Sequence, residues 1–161
     1  MPVKRLKDYL DENNIKYVTL SHSRAYTAQE IAASAHISGN DLAKTVMVNI
    51  DEQMSMVVLP ASHHVDFNSL RRSLGATNVA LATEEEFRAL FPECETGAMP
   101  PFGNLYNMPV YVSPALAKEE MITFNAGTHT ELIQMAYADF EKLVQPKIIE
   151  FSTEASRATS G

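Results

Sequence analysis

The stretch Lys44-Thr45-Val46-Met47-Val48-Asn49-Ile50, followed after Asp51-Glu52-Gln53 by Met54-Ser55-Met56-Val57-Val58-Leu59-Pro60, decides the fold. Both runs are apolar and rich in β-branched residues, and the polar segment between them is typical of a turn. The pattern predicts a β-hairpin. Lys44 begins the first run, where it either lies at the solvent boundary or is partly desolvated. A desolvated ammonium is most stable facing an anion or a polarised carbonyl.

Elements on either side of the hairpin predict a domain that mixes helices and short strands. Helices are predicted over 2–13, 66–75 and 138–143, and after the capping boxes Thr27-Ala28-Gln29-Glu30 and Thr83-Glu84-Glu85-Glu86. Strands are predicted over 15–20, 79–82, 110–112 and 121–124, with 79–82 a buried strand. Residues 132–135 favour a strand, although Thr128-His129-Thr130-Glu131 also fits a capping box. The fold class is α/β in the α+β sense, one domain over 1–152 with a flexible tail over 153–161.

Composition narrows the class of protein. The 161 residues are 45% hydrophobic, which suits one domain with a real core. Thirteen basic against 20 acidic residues give a net charge of −7, the wrong sign for gripping long nucleic-acid backbones, so no DNA partner is expected. A local patch from Arg24, Lys44, Arg71 and Arg72 would suffice for one nucleic-acid end, if the fold gathers them. No apolar run reaches membrane-span length and no signal peptide is visible, which predicts a cytoplasmic protein.

A second informative stretch is the loop Gly97-Ala98-Met99-Pro100-Pro101-Phe102-Gly103. Its glycines permit positive φ, while its prolines fix φ and remove donors, so the loop is stiff with few backbone N–H groups. It is either a rigid surface turn or a grip for a small polar group. Together with Lys44, it favours a site for an acyl group on a phosphate-bearing molecule.

Other motifs are weaker. Gly127-Thr128-His129 either forms a tight turn with a capping threonine or brings a hydroxyl and an imidazole to a ligand. The adjacent His63 and His64 point to opposite sides of an extended chain, so no metal site is expected. Cys94 is the only cysteine, which excludes an internal disulfide, and it is more typical of a bystander than of a nucleophile. Fingerprints of serine hydrolases, P-loops and dinucleotide sites are missing, and no cofactor is expected.

The order and spacing of several motifs resemble the YbaK-like family of free-standing aminoacyl-tRNA deacylases, which are similar to the editing domain inserted in bacterial prolyl-tRNA synthetase. The resemblance covers about residues 2–145. It is carried by Ala43-Lys44-Thr45-Val46, by Gly97-x-x-x-Pro101-Phe102-Gly103 and by Phe124-Asn125-Ala126-Gly127-Thr128-His129. Ser113-Pro114 departs from the acidic residue that many relatives carry there.

The resemblance implies a single mixed α/β domain around a mostly antiparallel, barrel-like sheet surrounded by helices. It implies hydrolysis, in trans, of the ester between a wrong small amino acid and the 3′ adenosine of a tRNA, most typically tRNA for proline. The substrate assists its own hydrolysis and no metal takes part. A prolyl-tRNA synthetase or an elongation factor is the implied protein partner; a membrane is not.

The resemblance also assigns residues to the site. Lys44, Gly97 and His129 are the implied catalytic residues: Lys44 contacts the terminal adenosine or its phosphate, and His129 lies near the aminoacyl group. Backbone amides of 97–101 hold the carbonyl and stabilise oxyanion charge. The implied substrate-binding residues are Ala98, Met99, Pro100, Pro101, Phe102, Gly103, Gly127, Thr128, Thr45 and Val46.

Two other function classes stay open from the sequence. The first is a non-catalytic module of the same fold that binds a nucleotide or tRNA end, for which ligand binding without turnover is diagnostic. The second is a hydrolase of small acyl esters unrelated to tRNA. Equal activity on free aminoacyl esters and on aminoacyl-tRNA would favour that class.

Overall fold

The computed structural model describes residues 4–21, 42–92, 94–95, 98–128 and 130–154. The helices are α1 (Lys4–Glu12), α2 (Phe67–Leu74), α3 (Glu84–Arg88), α4 (Pro114–Ala117) and α5 (Tyr137–Val144), with a 3-10 turn at Gly103–Leu105. The strands are β1 (Tyr17–Ser21), β2 (Ala43–Ile50), β3 (Gln53–Pro60), β4 (His63–Val65), β5 (Val79–Leu81), β6 (Val110–Val112), β7 (Met121–Asn125), β8 (Glu131–Ala136), β9 (Lys147–Ile148) and β10 (Ser152–Glu154). None of the helices in these ranges is long and apolar enough to span a membrane.

The strands form three sheets. The predicted hairpin is confirmed as β2 and β3, which lie inside a five-stranded sheet of order β5-β2-β3-β6-β9. Strands β1, β8 and β7 form a three-stranded antiparallel sheet, and β10 pairs with β4. A parallel bridge between Leu42 and Thr123 joins the two larger sheets. The predicted mixed, mostly antiparallel fold is confirmed, although the described strands do not close into a barrel.

Side chains that alternate along the hairpin strands pack into two apolar layers, one on each face of the sheet. Met47, Met56 and Val58 face the main core, which α1 and α5 also cover. Val48 and Val57, on the opposite face, pack against α2 and Phe151. Because successive side chains of a strand point to opposite faces, each residue of β2 belongs to one layer only.

Helix α2 shows why its boundaries are readable from sequence. The Asp66 carboxylate accepts a hydrogen bond from the Ser69 amide at 3.1 Å, and this bond holds the pKa of Asp66 below its usual value. At the other end Gly75 has φ of +64°, the left-handed conformation that ends helices. Thr83 and Glu86 likewise form the predicted capping box of α3.

Two parts of the chain differ from expectation. Strand β5 is expected to be buried, but among the described strands it lies at a sheet edge and pairs with β2 alone, and Leu81 is 62% exposed. Its three apolar residues do not distinguish an edge from a central position. Thr153 and Glu154, expected in the tail, belong to β10, where they pair with β4. The predicted helix after Thr27 and the tail residues 155–161 lie outside the described residues.

Replacing Thr123 with valine should stabilise the protein by about 1 kcal/mol. The Thr123 side chain is fully buried at the bridge with Leu42, and its hydroxyl has no hydrogen-bond partner in the described part of the chain. Urea unfolding of Thr123→Val measures the gain. Thr19→Val is the matched control, because Thr19 is exposed on β1. A loss of stability specific to Thr123→Val would mean that the hydroxyl is hydrogen-bonded in solution.

Candidate active site

Lys44 lies at the start of β2, close to the end of β7. Leu42 is beside Thr123 in the parallel bridge. The parallel register set by this bridge brings Lys44 level with Asn125, two residues further along each strand. Both side chains lie on the face opposite the main core, because they alternate with core-facing Ala43 and Phe124.

An apolar floor adjoins these two polar side chains. Leu42 packs against Leu132 of β8, and Leu20 of β1 packs against the same pair. Leu132 is the antiparallel partner of Asn125. We call the surface formed by Leu20, Leu42, Lys44, Asn125 and Leu132 the Lys44 face. It combines an apolar base with one cation and one amide, the composition expected for a small-ligand site.

The charge of Lys44 is not neutralised by the described residues. The side chain is partly buried, and burial lowers the pKa of its ammonium from the usual 10.5. Within the described ranges, no carboxylate forms an ion pair with it. A partly desolvated cation of this kind is stabilised by any anion that binds beside it. Of the two interpretations of Lys44 from the sequence, the structure matches the partly desolvated one.

The described part of the loop with the paired prolines, residues 98–103, which we call the Gly/Pro loop, meets the end of β7 through a main-chain hydrogen bond. Gly127 has φ of +98° and donates its N–H to the carbonyl of Ala98 at 2.9 Å. The Gly127 carbonyl accepts from the amide of Glu95 at 2.7 Å. Since Gly127 follows Asn125 by two residues, the loop, Gly127 and Lys44 converge on one end of β7. Thr128, next in the chain, has its hydroxyl 3.5 Å from that of Thr130.

Side chains of the loop contribute mainly to the core. Phe102 is fully buried and contacts the rings of Tyr9, Phe124 and Phe140, with centroid separations of 6.2, 5.5 and 5.4 Å respectively. Met99 joins the same layer. Both side chains therefore lie in the main core, on the side opposite the Lys44 face. In β2, the Val46 side chain points to the same face as Lys44, and the Thr45 side chain points to the other face. The proposed substrate contacts of this loop therefore rest on its main chain.

Few main-chain donors of the described loop are available. Pro100 and Pro101, both buried, have no N–H. Ala98 donates to the carbonyl of Glu95 at 3.0 Å, and Phe102 donates to that of Pro100 at 2.8 Å. Gly103 is buried against Met108 and Val110, which gives it a packing role. Gly97 and His129, the other two predicted catalytic residues, and Arg24 lie outside the described residues.

The histidine pair does not form a metal centre in the described part of the chain, where no three His, Cys, Asp or Glu side chains converge. His63 is instead buried, with Nδ1 2.9 Å from the hydroxyl of Ser152. The sulfur of Cys94 lies 3.9 Å from the hydroxyl of Tyr106.

Asn125, Leu42 and Leu132 were not selected from the sequence. Asn125 stands inside the Phe124-to-His129 motif, but only the bridge between Leu42 and Thr123 reveals that it is level with Lys44. The Leu42–Leu132 contact joins segments ninety residues apart. The available signal was the alternation of Phe124 and Asn125 along a strand.

Known proteins resemble this chain over different lengths. It is 30% identical over 89 residues to a proline–tRNA ligase of Bacillus cytotoxicus, matching 55% of this chain and 16% of the ligase. It is 28% identical over 104 residues to the multifunctional Ser/Thr-tRNA deacylase ProXp-y of Escherichia coli K12, matching 64% of this chain and 62% of that protein. The chain thus spans less than two thirds of each of these relatives.

Solved structures and a family comparison complete the assignment. A crystal structure described as that of a candidate trans-editing enzyme for prolyl tRNA synthetase superposes with a TM-score of 0.80 at 19% identity, covering 94% of this chain and 96% of the other. That likeness shows a common fold. The sequence model of the aminoacyl-tRNA editing domain matches residues 22–143. With a match over most of its length, the chain belongs to the aminoacyl-tRNA editing domain family.

Proposed function

We propose that this protein is a trans-editing deacylase, which hydrolyses the ester of a wrong small amino acid on tRNA, with tRNA-Pro as its first candidate substrate. The observation that carries the proposal is the partly buried Lys44 ammonium, without a carboxylate partner among the described residues, at the strand end where Gly127 and Ala98 meet. The family match and the resemblance to a proline–tRNA ligase and a tRNA deacylase support it.

Lys44 supplies the charge that this substrate needs. The 3′ end of a tRNA carries phosphates, and attack on its ester places negative charge on the carbonyl oxygen. An ammonium in a partly desolvated position interacts with either charge more strongly than one in water. The Asn125 amide, level with Lys44, is suited to hold the ribose or the aminoacyl group.

The reaction adds water across one bond. The oxygen of water attacks the ester carbonyl carbon, the bond from that carbon to the ribose oxygen breaks, and a proton from water ends on the ribose oxygen. We propose that a hydroxyl or side chain of the substrate directs the water, that His129 lies near the aminoacyl group, and that no metal is required. A preorganised charge or donor contributes about 3–4 kcal/mol to such a step.

Selection among amino acids depends on the size of the space above the apolar floor. Leu42, Leu132 and Leu20 present only hydrocarbon, so this floor accepts small side chains with little discrimination. One methylene changes the barrier by about 1–3 kcal/mol in such a pocket. Several related esters of small amino acids are therefore expected as substrates.

The direct test is deacylation of tRNA-Pro charged separately with alanine, cysteine, serine, threonine and proline. We expect selective loss of at least one wrong ester and retention of the prolyl ester. The panel also includes tRNA-Ser charged with serine and tRNA-Thr charged with threonine, because the Escherichia coli relative is named a Ser/Thr-tRNA deacylase. Binding of these tRNAs without any turnover would contradict the deacylase function and favour the non-catalytic binding module. Equal turnover of free aminoacyl esters would favour the small-ester hydrolase.

The enzyme should lose activity as pH rises through the lowered pKa of Lys44. Burial lowers this pKa from 10.5, so the cation is lost at a lower pH than for an exposed lysine. Single-turnover rates across pH, after subtraction of spontaneous hydrolysis, measure the decline. Lys44→Arg should remove this alkaline decline because guanidinium stays charged. A decline of the same form in Lys44→Arg would assign it to another group.

A further inference from the structure

We propose that the outer surface of α2, formed by Phe67, Asn68, Arg71 and Arg72, binds the single-stranded 3′ end of the tRNA. The nucleotides bound there precede the aminoacylated adenosine. This inference rests on the proposed function and adds to it the surface that recognises the RNA beyond its reacting end.

The charge of this surface differs from that of the whole protein. Between Ser55 and Ala82 the chain has a single carboxylate, Asp66, although the protein contains 20 acidic residues. The Asp66 carboxylate is engaged by the amide of Ser69. Arg71 and Arg72 are exposed and donate only to neutral acceptors, the Asn68 amide oxygen at 3.2 Å and the Ser69 hydroxyl at 3.4 Å. Within the described ranges, no ion pair joins either guanidinium to a carboxylate, although the charge of Arg72 contributes to lowering the pKa of Asp66. Neither guanidinium is held by a carboxylate hydrogen bond there, so both can contact phosphates.

An aromatic ring accompanies the two cations. Phe67 begins α2 and is 36% exposed, whereas Leu70 of the same helix is fully buried. Phe67 and Arg71 are separated by one helical turn and therefore lie side by side. A ring on which a base stacks, next to cations that contact the backbone, is the combination by which proteins bind single-stranded nucleic acid.

The surface lies on the appropriate side of the sheet. Leu70 packs against Leu59 and Val57. Leu59 is the cross-strand partner of Lys44, so Lys44 and α2 are on the same face of the five-stranded sheet. Helix α2 also starts two residues after β4, which follows the end of β3 where Leu59 lies. An RNA end that reaches Lys44 can therefore pass along α2.

The competing explanation is local helix stability, because arginines in the last turn of a helix interact favourably with its dipole. That role would alter unfolding and leave RNA affinity unchanged. The two explanations therefore predict different measurements.

The test measures the Kd of uncharged tRNA-Pro by fluorescence anisotropy over a series of salt concentrations, and kcat and KM with a mischarged tRNA-Pro. We expect Arg71→Gln/Arg72→Gln to weaken binding and raise KM about tenfold, with kcat unchanged. The slope of log affinity against log salt should fall by about 1.4, the value for two phosphates of a single strand. Phe67→Leu should weaken binding about fivefold with the slope unchanged, because a base stacks on an aromatic ring and not on leucine.

Lys7→Gln/Lys16→Gln is the matched control. It removes the same charge from exposed positions on α1 and just before β1. We expect its Kd to stay within twofold of wild type. A tRNA-Pro that lacks its single-stranded 3′ end should bind wild type no more tightly than Arg71→Gln/Arg72→Gln binds the intact tRNA, because it loses the contacts with α2 and with Lys44. The proposal would be overturned if the two double variants weakened tRNA binding equally. It would also be overturned if wild type bound the truncated tRNA as tightly as the intact tRNA.

The outcomes separate the surface from the activity. If wild type binds tRNA-Pro through α2 but hydrolyses no ester, the proposed function fails and the surface stands. If hydrolysis proceeds while Arg71→Gln/Arg72→Gln keeps the wild-type Kd and KM, the surface fails and the function stands. Unfolding curves of all variants exclude loss of the fold as the cause.

Discussion

Replacing Lys44 with methionine should lower the deacylation rate at least 100-fold while leaving the protein as stable as wild type or more stable. The expected loss of rate corresponds to removing one electrostatic group from a transition state, about 3 kcal/mol or more. Methionine has a similar length and keeps the hydrocarbon contacts of the lysine stem. The variant therefore removes the charge with little change of shape.

The expected stability follows from the pKa of Lys44. Burial makes the charged form less favourable in the folded protein than in the unfolded chain, where the pKa is close to 10.5. Below the lowered pKa the ammonium is charged in both states, so this cost is present in the wild type. Lys44→Met removes it, and the free energy of unfolding should stay within about 0.5 kcal/mol of wild type or increase. The contribution of Lys44 becomes less unfavourable only as pH rises through its lowered pKa.

Single-turnover deacylation and urea unfolding, run on the same preparations, measure the two effects. Lys118→Met is the matched control because Lys118 is exposed at the end of α4, and its rate should equal that of wild type. Activity within threefold of wild type in Lys44→Met would remove Lys44 from the site. A parallel collapse of stability would instead assign it a structural role.

How far the sequence predicts this structure depends on whether the decisive contact is local. The hairpin of β2 and β3 is readable because its two strands and its turn occupy adjacent residues. Helix α2 is readable because Asp66 and Gly75 mark its ends with their own backbone chemistry. The prediction that β5 is buried is wrong because burial depends on whether another strand pairs with its outer side. The three residues of β5 carry no information on that pairing.

The site follows the same division. Lys44 and the Gly/Pro loop could be selected from local composition, because a lysine in an apolar run and paired prolines are unusual by themselves. The orientation of Lys44 could not be predicted from local composition, because it depends on the bridge between Leu42 and Thr123. The packing role of Phe102 also depends on rings from distant segments, Tyr9 and Phe140. Family resemblance supplied the grouping of these motifs, and the structure supplies the face on which each side chain lies.

Gly103 and Gly75 should respond very differently to alanine. A Cβ on Gly103 would lie 2.6 Å from both the Met108 carbonyl oxygen and a methyl group of Val110, so main chain would have to move. We expect Gly103→Ala to lower the free energy of unfolding by about 3 kcal/mol, at the upper end for overpacking. A Cβ on Gly75 would meet no atom within 4 Å, and only its φ of +64° disfavours alanine. Gly75→Ala should therefore cost about 1 kcal/mol.

Urea unfolding of the two variants measures this difference in stability. Deacylation assays then show whether Gly103 acts through packing alone or also shapes the substrate site. If Gly103 acts only through packing, the fraction of Gly103→Ala that remains folded should keep the wild-type rate under conditions that favour the native state. Activity abolished in a fully folded Gly103→Ala would instead show that the 3-10 turn beginning at Gly103 shapes the substrate site. Equal costs for the two substitutions would contradict the close approach of Gly103 to Met108 and Val110, because conformational strain alone would then explain both.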